Sequence, residues 1–420
     1  MTTRLTPVLM NHAERVLDEA LHSPFAADSV VSHYFRERRQ LGHWERGFIA
    51  ETVYTVLRRR RSLEARCLGE VTPRRLLLAA LACAQGLNRR ELEPVLGNGE
   101  GEWLARAKAV RLDEMSVAER LELPDWLQQA LSLRMAPDEL EVLAQSLNQP
   151  APLDLRVNTL KAEREAMLAA LRADGIAADA CTLSPLGIRL AGKPSLARHP
   201  RFLDGSIEVQ DEGSQLLGFL VQPKRGEMVA DFCAGAGGKT LMLGAMMRSQ
   251  GRLYAFDVAE KRLARLKPRL ARSGLSNVHP QRIDSEHDIK IKRLAGKLDR
   301  VLVDAPCSGL GTLRRNPDLK WRQTPESVAE LAVKQASILR AAARLVKPGG
   351  RLVYATCSLL DEENDSVVDA FLAEHTDFTT GHAGEVLSRQ GINIDTGERL
   401  RLAPHRHGTD GFFAAIMERR

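Results

Sequence analysis

The sequence predicts a multidomain chain. It comprises a helical region over residues 1–145, a small α+β module over 146–222, and an α/β domain over 223–420 with helices on both faces of a parallel sheet. Three observations carry this reading. Apolar residues recur at helical spacing through the first 145 residues, where strand-like alternation is scarce. A break at Asn148-Gln149-Pro150-Ala151-Pro152 marks a linker. From Met228 onward, short apolar runs alternate with longer amphipathic stretches, the pattern of successive βα units.

Taken in order, Val16-Leu17-Leu21, Ile49-Val53-Val56-Leu57 and Leu76-Leu77-Ala80-Leu81 each place apolar side chains on one helical face. The helix over Phe48–Leu57 closes on Arg58-Arg59-Arg60-Arg61, a run suited to complement the helix C-terminus, to grip phosphates, or both. Asp125-Trp126-Leu127 and Pro137-Asp138-Glu139-Leu140 read as helix starts, with proline and acidic residues in the first turn. In the small module, Leu153–Asn158 alternates like a strand, and Ala162–Ala173 forms a helix that ends at Gly175. Two short strands are expected around Ala180–Leu183 and Gly187–Leu190, and Ile207–Val221 leads by a helix into the last domain. There the expected strands are Met228–Phe232, Arg252–Asp257, a short one before Asp284, Arg300–Asp304 and Arg351–Thr356. Helices are expected at Val258–Ser273 and Pro325–Val346, and edge strands at Leu400–Leu402 and Gly411–Met417.

Composition narrows the function classes. With 44% hydrophobic and 27% charged residues among 420, the chain is neither disordered nor fibrous. Its longest apolar run, Leu76–Ala84, falls far short of the roughly 20 residues that span a bilayer, so no membrane association is expected. The six cysteines form no C-x-x-C pair, so neither a disulfide framework nor a metal site is indicated and the cytoplasm is the expected compartment. Net charge is −1 over 1–150, −1 over 151–222 and +8 over 223–420. A basic last domain favours a polyanionic partner, most simply nucleic acid, and nothing points to an obligate protein partner.

The strand Met228–Phe232 runs into Cys233-Ala234-Gly235-Ala236-Gly237-Gly238-Lys239-Thr240. Glycines between a strand and a helix let backbone N–H groups approach a ligand closely. A Walker A loop ending at Gly238-Lys239-Thr240 would need glycine at position 233, where cysteine stands; a dinucleotide fingerprint from Gly235 would need glycine at 240, where threonine stands. A looser glycine loop remains, with Asp257 at the end of the next strand suited to a ribose diol. S-adenosylmethionine has that diol and no phosphate, so it requires neither strict spacing.

Two further strand ends carry Asp304-Ala305-Pro306-Cys307-Ser308 and Thr356-Cys357-Ser358. In an open parallel sheet the C-terminal strand ends border the ligand crevice, so Asp304, Cys307 and Cys357 are expected to converge there. Cys67, Cys83 and Cys181 read instead as small buried hydrophobes. Two thiols, a carboxylate and a methyl donor suit methylation of cytosine at carbon 5. That carbon is a poor nucleophile until a thiolate adds to carbon 6. A redox pair is another use of two thiols.

Asp304-Ala305-Pro306-Cys307-Ser308-Gly309-Leu310-Gly311, followed by Arg314-Arg315-Asn316-Pro317-Asp318 and Lys320-Trp321, resembles the fourth motif of RNA cytosine-5 methyltransferases. Tyr354-Ala355-Thr356-Cys357-Ser358 with Glu362-Glu363-Asn364 resembles the sixth. The chain is similar to the RsmB/Nop/Sun family, and to its bacterial RsmB-type branch acting on 16S ribosomal RNA, over roughly residues 150–420. The resemblance implies a Rossmann-like class I methyltransferase fold for 223–420. It also implies a ferredoxin- or RRM-like module at 146–222 and a NusB-like RNA-binding region at 1–145. It makes Cys357 the nucleophile and Cys307 the residue that enables product release. Cys233, Ala234, Gly235, Ala236, Gly237, Gly238 and Lys239 would wrap S-adenosylmethionine, with Asp257 on its ribose, Asp284 near its adenine, and Asp304 between cofactor and base. At positions 235 and 236 the family commonly has Ala then Pro. The Arg314-Arg315 and Lys320-Trp321-Arg322 stretch is the expected phosphate or base contact. Transfer RNA as substrate, or a non-catalytic RNA-binding role, are the alternatives.

Overall fold

The computed structural model describes residues 5–420. The chain forms two compact units, one of residues 1–150 with Leu313–Thr324 and one of Ala151–Thr312 with Pro325–Arg420.

The first unit is helical throughout its described residues. Its first helix, Pro7–His22, starts where Thr6 accepts a hydrogen bond from the Leu9 amide and Pro7 supplies a pre-set φ. It buries Leu9, Met10, Ala13, Val16, Leu17 and Ala20, one face at 3.6-residue spacing. That face packs with Ile49, Val53, Val56 and Leu57 of the helix His43–Arg58, and with Leu76–Leu81. The run Leu76–Ala84 is a helix that begins at Pro73 and relaxes into a π-turn over Ala80–Ala84. The starts expected at Asp125 and Pro137 head the helices Asp125–Ser132 and Pro137–Leu147.

Leu313–Thr324 belongs to this unit although it follows the Cys307 loop in sequence. Lys320 is 2% exposed and donates to the Arg58 carbonyl (2.9 Å) and Asn148 Oδ1 (3.0 Å). Trp321 Nε1 donates to the Leu57 carbonyl, and Asp318 accepts from the Ala27 amide. Arg314 is buried, and Arg322 donates to the Pro24 carbonyl. The expectation of a phosphate-gripping loop is therefore corrected for Lys320 and Trp321. Lys320 is buried with its ammonium turned onto two internal acceptors, and the indole N–H of Trp321 is likewise spent inside the unit, so neither is presented to a phosphate outside.

The second unit contains two sheets. In the smaller, β1 (Leu153–Val157), β2 (Ala178–Ala180), β3 (Gly187–Leu190) and β4 (Ile207–Val209) pair antiparallel in the order β2-β3-β1-β4. Helix Arg164–Ala173 lays Met167, Leu168 and Leu171 against Leu155, Ile188 and Ile207. Two local expectations shift. The strand placed at Ala180–Leu183 lies at Ala178–Ala180. Leu183 and Ser184 instead turn their amides onto buried Glu212. Ile207–Val209 is a strand, and the helix begins only at Glu212, where Asp211 accepts from the Gly213 and Ser214 amides. That helix, Glu212–Val221, is buried on every side.

The larger sheet comprises β5 (Met228–Asp231), β6 (Arg252–Asp257), β7 (Val278–Arg282), β8 (Leu298–Asp304), β9 (Val346–Thr356), β10 (Phe378–Thr380), β11 (Leu400–Leu402) and β12 (Phe412–Arg419). Their order is β10-β12-β9-β8-β5-β6-β7, with β11 also on β12; β5 to β9 are mutually parallel, and β10 to β12 are antiparallel additions. The order reverses between β5 and β8, so the crevice opens beyond the carboxyl ends of these two strands. Gly411–Met417, expected at an edge, lies in β12 between β9 and the short β10 and β11. Phe412–Met417 is buried on both faces, the mark of an interior strand. Helix Pro325–Ala343 stops short of Val346, which opens β9. Among the described residues no helix is long and apolar enough to cross a membrane.

Candidate active site

A cavity of about 700 Å³ opens at the β5/β8 reversal, within the range of small-molecule sites. Its lining includes Asp231, Cys233, Gly235, Lys239, Asp257, Asp304, Cys307 and Cys357.

The glycine loop is fixed by main chain. The Phe232 amide donates to the Leu302 carbonyl and the Ala234 amide to the Phe256 carbonyl, each at 2.8 Å, so the loop leaves β5 anchored to both neighbouring strands. Gly235 and Gly237 have φ of +56° and +83°, the left-handed region that glycine enters without strain. A Cβ at Gly237 would lie 2.1 Å from Leu266, so helix Glu260–Ser273 closes that position to any side chain. Asp257 accepts from the Gly235 amide (2.8 Å) and the Ala259 amide (2.7 Å), which holds its carboxylate facing the loop. The small sheet braces the same loop: Arg156 donates to the Gly238 carbonyl, and Arg269, paired with Glu208 of β4, donates to the Ala236 carbonyl.

Asp231 was not singled out from the sequence. It is fully buried; Oδ2 accepts from the Thr240 hydroxyl (2.7 Å), whereas Oδ1 has no hydrogen-bond partner among the described residues. Burial pushes its carboxyl up to about 7. A strand-end aspartate two residues before Cys233 was the available signal. Asp284, by contrast, does not line the cavity. Its side chain is largely exposed and pairs with Arg282 at 3.1 Å, while Ile283 and Glu286 face the cavity beside it.

At the other end the two thiols meet, with Cys307 Sγ 3.3 Å from Cys357 Sγ and the Cys357 amide also donating to Cys307 Sγ. The contact with Cys357 and burial push the Cys307 thiol well above its ordinary range, so it holds its proton at neutral pH. Burial does the same to Cys233. Asp304 Oδ2 accepts from Lys239 Nζ at 2.7 Å. Burial alone would push the Lys239 ammonium down, but the Asp304 carboxylate outweighs it and holds the group above its usual value.

The arrangement of both cysteine loops rests on Glu363, fully buried between them. Its carboxylate accepts from the Ser308 amide (2.8 Å), the Ser308 hydroxyl (2.5 Å), the Ser358 hydroxyl and Gln335 Nε2 (2.9 Å). Gln335 also donates to the Pro306 carbonyl, and Asn364 joins the Thr356 hydroxyl to the Ser358 carbonyl. One carboxylate thus joins Ser308, next to Cys307, to Ser358, next to Cys357. Gln335, midway along a helix, gave no signal in the sequence.

Residues 218–418 match the family model described as 16S rRNA methyltransferase RsmB/F, and residues 123–197 match that of the RsmF/B-like ferredoxin-like domain. The probable ribosomal RNA small subunit methyltransferase B of Synechocystis is 34% identical over 419 residues, covering 91% of this chain and 93% of the relative. The chain belongs to the RsmB/F methyltransferase family. It is accordingly an RNA methyltransferase, with a Rossmann-like methyltransferase domain, a ferredoxin-like domain and a helical N-terminal region. The ribosomal RNA small subunit methyltransferase B of Pseudomonas syringae is 37% identical over 299 residues, covering 70% of this chain and 65% of that protein. Among solved structures, a methyltransferase homologue from Pyrococcus horikoshii shares 31% identity at a TM-score of 0.58, covering 71% of this chain and 99% of its own. The crystal structure of PH0851 aligns over 100% of both chains at a TM-score of 0.80 and 27% identity.

Proposed function

We propose that this family member methylates carbon 5 of a cytidine in 16S ribosomal RNA, with S-adenosylmethionine as donor and a covalent adduct on Cys357. The observation that carries the reading is the pair of sulfurs 3.3 Å apart at the ends of adjacent parallel strands, on the same cavity as Asp257 and Asp304.

The cavity fits the donor. Asp257 presents a carboxylate positioned by two backbone amides, suited to a ribose diol, and the unpartnered Oδ1 of Asp231 is a buried acceptor suited to an ammonium. When bound, S-adenosylmethionine supplies an electrophilic methyl group. Gly235, Ala236 and Gly238 let the loop approach it, and Lys239 acts at one remove by holding Asp304 in place. Asp284 stands between Ile283 and Glu286, which line the cavity, and would reach the adenine from there by giving up its exposed pair with Arg282.

The target base must leave its stack to reach the sulfurs. The Cys357 thiolate adds to carbon 6, forming a carbon–sulfur bond and making carbon 5 nucleophilic; Asp304 stabilises the charge that develops on the ring. After the methyl group is on carbon 5, the proton there leaves to a base, the bond to Cys357 breaks and the ring double bond returns. Cys307, its sulfur 3.3 Å from Cys357 Sγ, is placed to serve that second half; to act as the base it must first give up the proton it holds in the free protein. The helical region 1–145 and the module 146–222 serve RNA recognition in this scheme, and the protein works in the cytoplasm.

The test is transfer of labelled methyl from S-adenosylmethionine to small-subunit ribosomal RNA and to transfer RNA, both from a strain lacking the gene. Label recovered as 5-methylcytosine in 16S RNA is the expected result. Label confined to transfer RNA, or on another base atom, overturns the reading.

A further inference from the structure

The excess positive charge of the last domain is confined to one stretch. Residues 260–297 hold eleven Lys and Arg against four Asp and Glu, a net +7 of the domain's +8. This stretch is the β7 edge of the large sheet: helix Glu260–Ser273, β7 itself, which pairs with β6, and the short helix Ile289–Lys292.

Six of the eleven cations are unspent. Lys261, Arg262, Arg265, Lys267, Lys292 and Arg293 are exposed, and none of their side chains donates a hydrogen bond or forms an ion pair with another described residue. Three of the four acids are engaged locally. Asp284 pairs with Arg282, Glu286 accepts from Ser337, and Asp288 caps the short helix. On helix Glu260–Ser273, Leu263, Leu266 and Ser273 face inward, so Lys261 and Arg265, one turn apart, stand together on the outer face. Arg262, on the same helix, lines the cavity.

An edge built only for solubility would intersperse both signs. Six unpartnered cations on one edge, one of them at the cavity, match a phosphate backbone. We propose that the β7 edge is a docking surface for the sugar-phosphate backbone of the substrate RNA, away from the reacting base. It rests on the reading of RNA as substrate. β7 is three strands from β8, about 14 Å at ordinary strand spacing. The contact therefore sets affinity and leaves the chemical step alone.

The experiment compares the full chain with K261E/R265E/K267E and with K292E/R293E, and uses K224E/R225E on the exposed loop before β5 as a control that matches the double variant in charge. Small-subunit RNA affinity is read by filter binding over a range of salt, and methyl transfer and S-adenosylmethionine affinity are read in parallel. The expected result is KM for RNA raised about tenfold in the triple variant, with kcat at saturating RNA and cofactor affinity unchanged. The dependence of log affinity on log salt should become shallower by about 0.7–0.9 for each contact removed. Affinity and salt slope equal to those of the control overturn the inference, as does a loss of cofactor affinity in both edge variants. RNA binding is measured without turnover, so failure of the full chain to methylate RNA counts against the proposed reaction and leaves this comparison standing.

Discussion

At the Gly235 end of the cavity the walls are main chain: amides of Phe232, Ala234 and Gly235 bonded to neighbouring strands and to Asp257. At the Cys307–Cys357 end, two loops from adjacent strands are held in register largely by side chains, four donors converging on Glu363. The difference teaches where the site tolerates change. Main-chain bonds survive most substitutions, so the donor end is set by backbone path. The thiol end depends on single side chains in a buried, low-dielectric network, where each loss is felt in full.

The largest effect that separates the two ends is on the sulfurs themselves. Cys357→Ala removes the attacking group and is expected to abolish turnover and to form no covalent complex with RNA. Cys307→Ala should lose roughly 10²–10⁴-fold in turnover while accumulating a protein–RNA adduct that survives a denaturing gel. Both should bind S-adenosylmethionine as the native chain does. An adduct in the Cys357 variant would exchange the two roles.

Glu363 gives the next effect. Glu363→Ala removes the acceptor that four buried donors share, leaving Gln335 only the Pro306 carbonyl, and should cost about 3–5 kcal/mol in stability, read as a lower Tm. Glu363→Gln keeps the shape and one acceptor, and the two serine hydroxyls can rotate to accept from its amide. It should fold and lose about 10²-fold in kcat at unchanged KM for RNA, because the sulfurs shift relative to the base. A Gln variant with native kcat would show that the clamp stabilises the fold without positioning the thiols.

How much of this was legible follows the same division. The strands, the glycine loop and the convergence of Asp304, Cys307 and Cys357 follow from residue order, because a parallel βα array sends its loops to one end of the sheet. What escaped depends on contacts remote in sequence. Gln335 lies 28 residues from Glu363 and reaches it only because helix Pro325–Ala343 packs behind the loops. The Lys320-Trp321 pair looked like a basic, aromatic RNA contact, yet its polar atoms are used by Arg58, Asn148 and Leu57, far earlier in the chain. Asp284 stands just past the end of β7, as the residue order implies, and its exposed pair with Arg282 was not foreseeable from that order. The short β4 was hidden because three residues of strand run almost directly into a fully buried helix.

The smallest effect tests the donor end, where one side chain does carry a burden. The Asp231 carboxyl, pushed by burial from 3.8 up to about 7, takes a proton in the folded chain that the unfolded chain releases between these values. Folded stability from this group is therefore whole below about pH 4 and declines as pH rises to about 7, beyond which the penalty is constant. Asp231→Asn keeps an acceptor for the Thr240 hydroxyl and removes the titration. Without cofactor, the variant should be more stable than the native chain at pH 8, on the order of 2 kcal/mol, and close to it at pH 5. Thermal melts at the two pH values check this. Its affinity for S-adenosylmethionine should fall most at pH 8, where the native carboxylate is charged. An equal stability difference at both pH values would mean that the Asp231 carboxyl is not shifted by folding and is ionised at both. The donor end would then be as purely main chain as its hydrogen bonds suggest.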